Sequence, residues 1–184
     1  MNLKAIPLTT YLLSAGIPAL APLQLLAGDA PKLSDPGMEK GTETWEINKY
    51  DKGISRFVAE AARTGKMGLE VDDQDAQAGS EVFSEHVSAP PGTAWKATFW
   101  AKITEGDGIG VYLSFFDGAG QPVPFPDAKD IPHVSISSAK SEWKEYEVTA
   151  VVPEGCDSIA VRVHSYKDSV VKAYLDDFVL APSK

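Results

Sequence analysis

The last strand-like segment of the chain carries two adjacent acids, Asp176 and Asp177. Residues 172–180 read Lys-Ala-Tyr-Leu-Asp-Asp-Phe-Val-Leu, and their alternation of apolar, aromatic and β-branched types predicts a strand. Successive side chains of a regular strand point to opposite faces, so one acid should point toward whatever the sheet covers. The two expected faces are Leu175, Asp177 and Val179 on one side and Tyr174, Asp176 and Phe178 on the other. A carboxylate on the covered side needs a hydrogen-bond donor, a basic side chain or a cation as its partner.

A second set of side chains has the chemistry of a sugar site. Sugars offer C–H faces to aromatic rings and hydroxyls to polar groups, so such a site needs exposed rings among polar side chains. The candidates alternate with apolar rows on three predicted strands: Trp100, Tyr112, Phe116, Arg162 and His164. If these strands are neighbours, one sheet face would present them together as a platform, with Arg56 and Glu60 at its border. Trp45 and Tyr50, in a long loop, could instead line a site at the rim.

The motifs of common hydrolytic enzymes are missing. His86, His133 and His164 lie in separate segments, and neither Gly-x-Ser-x-Gly nor His-Glu-x-x-His occurs. No glycosidase acid pair can be chosen from 26 scattered carboxylates. The single cysteine, Cys156, excludes an intrachain disulfide and is expected to be buried. The acidic run 72–75 lacks the glycine and distal glutamate of an EF-hand, which favours a solvated turn. We therefore predict no catalytic residues.

Composition indicates one globular domain. The 184 residues include 43% hydrophobic types, which is enough for a sizeable core. The 17 basic residues are dispersed among 26 acidic ones, giving a formal charge of −9. Nucleic-acid binders gather lysine and arginine on one face, so a nucleic-acid partner is not expected.

The first thirty residues differ from the rest. Lys4 is the only cation before an uncharged, mostly apolar run from residue 5 to residue 27, which ends in small residues. This pattern is typical of a secretory signal peptide, so we expect residues 1–30 to be removed and residues 31–184 to form the mature domain, secreted or held in the periplasm or at the cell surface. Pro7, Pro18 and Pro22 disfavour a membrane-spanning helix, and no membrane insertion of the mature chain is expected.

Short strand-like runs between turn signals follow. No sustained 3.6-residue period occurs, and glycine and proline interrupt the chain every 8 to 15 residues or so. Eight or nine strands predict an all-β fold, a two-sheet antiparallel β-sandwich or jelly roll. The predicted strands span residues 54–61, 66–71, 80–87, 93–103, 109–117, 142–151, 158–166 and 173–180, and the proline-rich stretch after residue 120 is expected to have at most edge-strand character.

The order of several motifs resembles a known family. They are Ser34-Asp-Pro-Gly-Met-Glu39, Gly65-Lys-Met-Gly-Leu-Glu-Val71, Trp95-Lys-Ala-Thr-Phe-Trp-Ala-Lys102, Ser141-Glu-Trp-Lys-Glu-Tyr146 and Tyr174-Leu-Asp-Asp-Phe-Val-Leu180. Together they resemble the CenC-like carbohydrate-binding modules, within the galactose-binding-domain-like jelly rolls, over about residues 33–180.

The resemblance implies a structural calcium ion that ties the first part of the domain to the last strand. The matching ligands are Glu39 and Asp176, with Asp177 as second choice, although Asp35 and Met38 depart from the family's Asn and Phe. Two carboxylates far apart in sequence suit a hard cation that binds oxygen. The resemblance also places six aromatic side chains in the core: Trp95, Phe99, Phe115, Trp143, Tyr146 and Phe178.

Three functions are compatible with this sequence. The first is a secreted, non-catalytic protein or module that binds a polysaccharide or oligosaccharide by ring stacking and hydrogen bonds. The second is a structural or protein-binding domain of an envelope or extracellular assembly, with other envelope proteins as partners. The third, and least supported, is a jelly-roll polysaccharide lyase or hydrolase.

Overall fold

The computed structural model describes residues 32–125, 127–136 and 141–183, and the expected signal peptide lies outside this part of the chain. No helix in these ranges has the length and apolar character needed to span a membrane. Three short 3-10 helices cover Gly41–Glu43, Ala59–Ala61 and Ala128–Asp130. The described strands are β1 (Trp45–Ile47), β2 (Ser55–Val58), β3 (Gly68–Asp73), β4 (Glu81–Ser84), β5 (Val87–Ser88), β6 (Ala94–Gly106), β7 (Ile109–Phe116), β8 (His133–Ile136), β9 (Lys144–Val151), β10 (Ser158–Ser165) and β11 (Val171–Pro182).

The strands form two antiparallel sheets. Sheet A has the order β1-β4-β10-β7-β8, with β5 also paired to β10, and sheet B has the order β2-β3-β11-β6-β9. Apolar side chains of the inner faces form one core between the sheets, and alternate residues of each strand face outward. The all-β sandwich predicted from the sequence is confirmed.

Most of the aromatic side chains expected in the core are buried there. Trp95, Phe99, Phe115 and Phe178 are at most 1% exposed. Tyr146 is half-buried on the edge strand β9 and stacks on Phe99, with 5.7 Å between ring centres. The prediction is wrong for Trp143, which precedes β9 outside the core and contacts the ammonium of Lys102 instead.

A β-bulge in β11 overturns the face assignment predicted for the two acids. Relative to β6, the register shifts between Asp176 and Val179, and Asp177 has a φ of 53°. An aspartate tolerates this left-handed conformation better than a β-branched residue does. The extra residue brings Phe178 to the same inner face as Leu175, so Val179 is exposed.

The two ends of the described domain meet at this bulge. The backbone N–H of Phe178 donates to the carbonyl of Pro36 over 2.8 Å, and the rings of Trp45 and Phe178 are 5.1 Å apart. The indole N–H of Trp45 donates to the carbonyl of Asp35 over 3.1 Å. The Ser34–Glu39 motif is therefore a turn packed against the last strand, as expected from the sequence.

The acidic run 72–75 is only partly the solvated turn expected from the sequence. Asp72 and Asp73 belong to β3, and Asp73 is fully buried, where its carboxylate accepts the hydroxyl hydrogen of Ser165. Ser165 in turn accepts a hydrogen bond from the backbone N–H of Ser80 over 2.6 Å. These bonds satisfy a buried carboxylate without a cation.

The outward carboxylate of Asp72 makes a pH-dependent contribution to stability. Hydrogen bonds from Gln74, at 2.7 Å, and from Lys172, at 3.0 Å, hold the pKa of Asp72 below its usual value of 3.8. A carboxyl group whose folded pKa is depressed stabilises the fold above its unfolded pKa, and this contribution is lost as pH falls through the folded pKa. We expect Asp72→Asn to lower the urea midpoint at about pH 7 and to lower it by less near pH 3. An equal deficit at both pH values would contradict this assignment.

Candidate functional site

The pairing register aligns five outward side chains across sheet A. Glu46 of β1 pairs with Phe83 of β4, Phe83 with Arg162 of β10, Arg162 with Tyr112 of β7, and Tyr112 with His133 of β8. Neighbouring strands lie about 4.8 Å apart, so the five side chains span roughly 19 Å. We call this set the transverse row. It presents a carboxylate, a phenyl ring, a guanidinium, a phenol and an imidazole on one face.

The centre of the transverse row is a stack of three planar groups. The guanidinium carbon of Arg162 lies 4.6 Å from the ring centre of Tyr112, and the ring of His133 is stacked 5.0 Å from it at 17°. Because β10 and β8 lie on opposite sides of β7, Arg162 and His133 cover the two faces of the Tyr112 ring. Tyr112 therefore offers a ligand its edge and tip, and it holds its two neighbours in place.

Two polar groups of this stack, the guanidinium of Arg162 and the hydroxyl of Tyr112, are partly buried and contact other side chains. Nη1 of Arg162 lies 3.7 Å from the carboxylate of Glu81, while its Nε is buried and has no hydrogen-bond partner among the described residues. Burial, followed by a hydrogen bond with Tyr166, raises the pKa of the Tyr112 hydroxyl. The Tyr112 hydroxyl is therefore held against Tyr166 within this face.

A groove of about 780 Å³ runs along the β1 and β4 end of the row. Its lining includes the rings of Phe83, Phe116 and His86 and the acids Glu46 and Glu85. The imidazole of His86 stacks on Phe116 with 3.9 Å between ring centres, and Phe83 meets Phe116 edge-on at 6.4 Å. Rings and carboxylates side by side can bind the C–H faces and the hydroxyls of a sugar.

Four of the five predicted ligand residues lie on this outer face. Tyr112, Arg162 and His164 are half-buried there, on neighbouring strands as expected. Phe116 is on the same face but is only 8% exposed beneath His86, so it supports the groove more than it contacts solvent.

The prediction that Trp100 shares this face is wrong. Trp100 belongs to β6 of sheet B and faces outward on the opposite side of the sandwich. The guanidinium carbon of Arg63 lies 3.7 Å from its ring centre. The sequence shows that Trp100 alternates with core residues, but it does not show which sheet β6 joins.

Neither predicted border residue lies on a strand of sheet A, since Arg56 is in β2 and Glu60 is in the 3-10 helix Ala59–Ala61. Arg56 pairs with Glu70 on sheet B, at 2.5 Å. Trp45, expected in a rim loop, forms β1 and is 2% exposed, whereas Tyr50 is 71% exposed. Glu46 and His133 were not predicted as ligand residues, because β1 and β8 are short edge strands in stretches whose sequence is typical of loops.

The carboxylates predicted to bind calcium all contact one loop, residues 63–67. Oδ2 of Asp176 accepts the backbone N–H groups of Arg63 and Thr64, at 2.7 and 3.0 Å, and Oδ1 accepts that of Asp177 at 2.7 Å. Glu39 accepts the backbone N–H of Lys66 at 2.8 Å.

The environments of these acids differ. Asp176 is fully buried, and desolvation raises the pKa of its carboxyl group. Asp177 pairs with the guanidinium of Arg63 and with the hydroxyl of Thr64. Within the described ranges, no group of three or more His, Cys, Asp or Glu side chains is arranged to hold a metal ion. Calcium binding by Glu39, Asp176 and Asp177 stays a prediction.

Solved structures share this fold. A family 16 carbohydrate-binding module matches with a TM-score of 0.56 and 18% identity, covering 81% of this chain and 98% of the module. A family 61 module solved with β-1,4-galactotriose matches with a TM-score of 0.55 and 20% identity, over 82% of this chain and 97% of the module. The CBM22-1 xylan-binding domain of Paenibacillus barcinonensis Xyn10C matches with a TM-score of 0.53 and 17% identity, over 86% and 99%.

At this identity the likeness shows a common fold. Some other matched chains carry the names of enzymes, so the fold alone does not decide between binding and catalysis. No protein-family model matches the chain, and no curated protein matches it in sequence.

Proposed function

We propose that this protein is a non-catalytic carbohydrate-binding module of the CenC-like type, and that it holds a polysaccharide or oligosaccharide across the outer face of sheet A. The transverse row carries the proposal, because five strands each contribute one ring or hydrogen-bonding group at the same level. A glycan lying across the strands could contact the groove at one end and His133 at the other. The fold shared with carbohydrate-binding modules supports this choice.

Binding without catalysis is favoured by the extent of the structural matches. The three carbohydrate-binding modules are matched over 97 to 99% of their own length, so the part of this chain that matches them corresponds to a whole module.

Calorimetric titration against a panel of glycans tests the proposal. The panel should include β-1,4-galactotriose and xylohexaose, since structures of this fold have been solved with them. We expect saturable binding to at least one member, with no release of reducing ends or unsaturated products on long incubation. Product release would indicate an enzyme, and absence of binding across the panel would favour the structural or protein-binding alternative in an envelope assembly.

Calcium is proposed separately, because the carboxylates that would bind it contact the 63–67 loop and do not belong to the transverse row. An ion held by Glu39 and Asp176 would bind the folded state only and would raise the melting temperature by mass action. We expect EDTA to lower the melting temperature and added calcium, but not magnesium, to restore it. A melting temperature unchanged by EDTA would reject the ion and leave the N–H groups of residues 63–67 as the partners of these carboxylates.

Export is also proposed from the sequence pattern of residues 1–30. We expect the protein recovered from the medium, periplasm or cell surface to begin near residue 31. Amino-terminal sequencing of that material checks the expectation, and an intact residue 1 would contradict it.

A further inference from the structure

The imidazole rings of His133 and His164 are each held by a hydrogen bond to the backbone. Nδ1 of each lies within hydrogen-bond distance of a backbone carbonyl, that of Ile131 for His133 and that of Ser80 for His164. A carbonyl oxygen only accepts, so Nδ1 must carry the hydrogen in both rings. In the neutral imidazole, Nε2 is then a hydrogen-bond acceptor with a lone pair.

Aromatic neighbours fix the planes of both rings. His133 stacks on Tyr112, and His164 meets Tyr112 edge-on at 6.4 Å and Tyr166 edge-on at 6.2 Å. Beneath the two tyrosines lies Gly110, where a Cβ atom would be 2.4 Å from the Tyr166 hydroxyl oxygen. The glycine therefore allows the two tyrosines to lie close to the sheet. In that position Tyr112 contacts both imidazoles and Tyr166 contacts that of His164.

The charged and titratable groups around the two rings are few. His164 pairs across the sheet with Glu81 of β4, and its own strand carries Arg162, which is 3.7 Å from Glu81. Tyr112 of β7 and Tyr166 face it as phenols. His133 is faced by Tyr112 of β7, and Ser135 follows it on the same face of β8.

We propose that His133 and His164 are specificity-determining residues of the glycan site, and that Nε2 of each accepts a hydrogen bond from a sugar hydroxyl. This inference rests on the proposed function. Arg162 supplies donors at the centre of the face, and the two imidazoles supply acceptors on either side of β7. A ligand must then present hydroxyl hydrogens at two positions on opposite sides of Tyr112.

Paired substitutions separate the two ring nitrogens. The amide of glutamine reaches the position of Nε2, whereas that of asparagine reaches only the position of Nδ1. With the glycan selected from the panel, we expect His133→Gln and His164→Gln to bind within about threefold of the parent. We expect His133→Asn and His164→Asn to bind about tenfold more weakly, equivalent to one lost hydrogen bond.

Circular dichroism melting confirms that every variant is folded. Asparagine variants that bind as well as the glutamine variants would overturn the role of Nε2 while leaving glycan binding established. Failure of the parent protein to bind any glycan would overturn this inference together with the proposed function.

Discussion

Tyr112→Ala is expected to weaken glycan binding by about thirtyfold, a loss of about 2 kcal/mol. The phenol ring separates the Arg162 guanidinium from the His133 imidazole and covers one face of each. Its removal frees both groups to move, so their order must be restored by the ligand at an entropic cost. Titration calorimetry of the parent and the variant with the same glycan measures the difference.

Two variants control for this result. Tyr112→Phe keeps the ring and should retain most of the affinity if ring packing is the main contribution. Trp100→Ala removes a larger aromatic side chain from the outer face of sheet B and should leave the affinity unchanged. Equal losses from Trp100→Ala and Tyr112→Ala would mean that the face of sheet A is not the binding surface.

Asp176→Ala should destabilise the fold by about 3 kcal/mol, a large part of the stability of an ordinary domain. The carboxylate of Asp176 is fully buried and accepts three backbone N–H groups, from Arg63, Thr64 and Asp177. Alanine leaves these donors without their acceptor and removes the group that connects the 63–67 loop to the bulge. Urea denaturation followed by fluorescence gives the change in the free energy of unfolding.

Two further variants serve as comparisons for this measurement, Asp176→Asn as a partial change and Glu147→Ala as a surface control. Asparagine keeps one acceptor oxygen, so an intermediate loss is expected. Glu147 is an exposed acid on β9, and its replacement should change stability by less than about 0.5 kcal/mol. The measurement is made in EDTA as well as in calcium, so that the hydrogen bonds are assessed without the ion. A loss below about 1 kcal/mol in EDTA would show that the 63–67 loop does not depend on Asp176.

Local patterns predicted much of the fold because alternation reports burial directly. On β7, Tyr112 was expected to alternate with an apolar row, and the members of that row, Val111, Leu113 and Phe115, are all buried. The bulge at Asp177 could not be foreseen, because its register is set by pairing with β6 and by the carbonyl of Pro36. One extra residue reverses the faces of a strand, so Phe178 and Val179 exchanged their expected sides.

The site was harder to predict than the strands that carry it. Arg162 and Tyr112 lie on long, well-patterned strands, and their outward direction followed from the alternation. Assigning Trp100 to the same face failed because strand order is a property of the whole sheet and does not follow from the alternation of one strand. Glu46 and His133 were missed because edge strands of three and four residues leave too short a pattern to recognise.

The distribution of strand lengths affects how the protein meets other copies of itself. Three of the four sheet edges are short, with three, four and four residues in β1, β2 and β8, while the longest strands lie inside sheet B. The remaining edge, β9, exposes Lys144, Glu145 and Glu147. Short or charged borders are poor templates for adding a foreign strand. Concentrated solutions of the protein should therefore resist fibril growth. This matters for a domain in which the described part of the chain has only short helices that could cover the sheet edges.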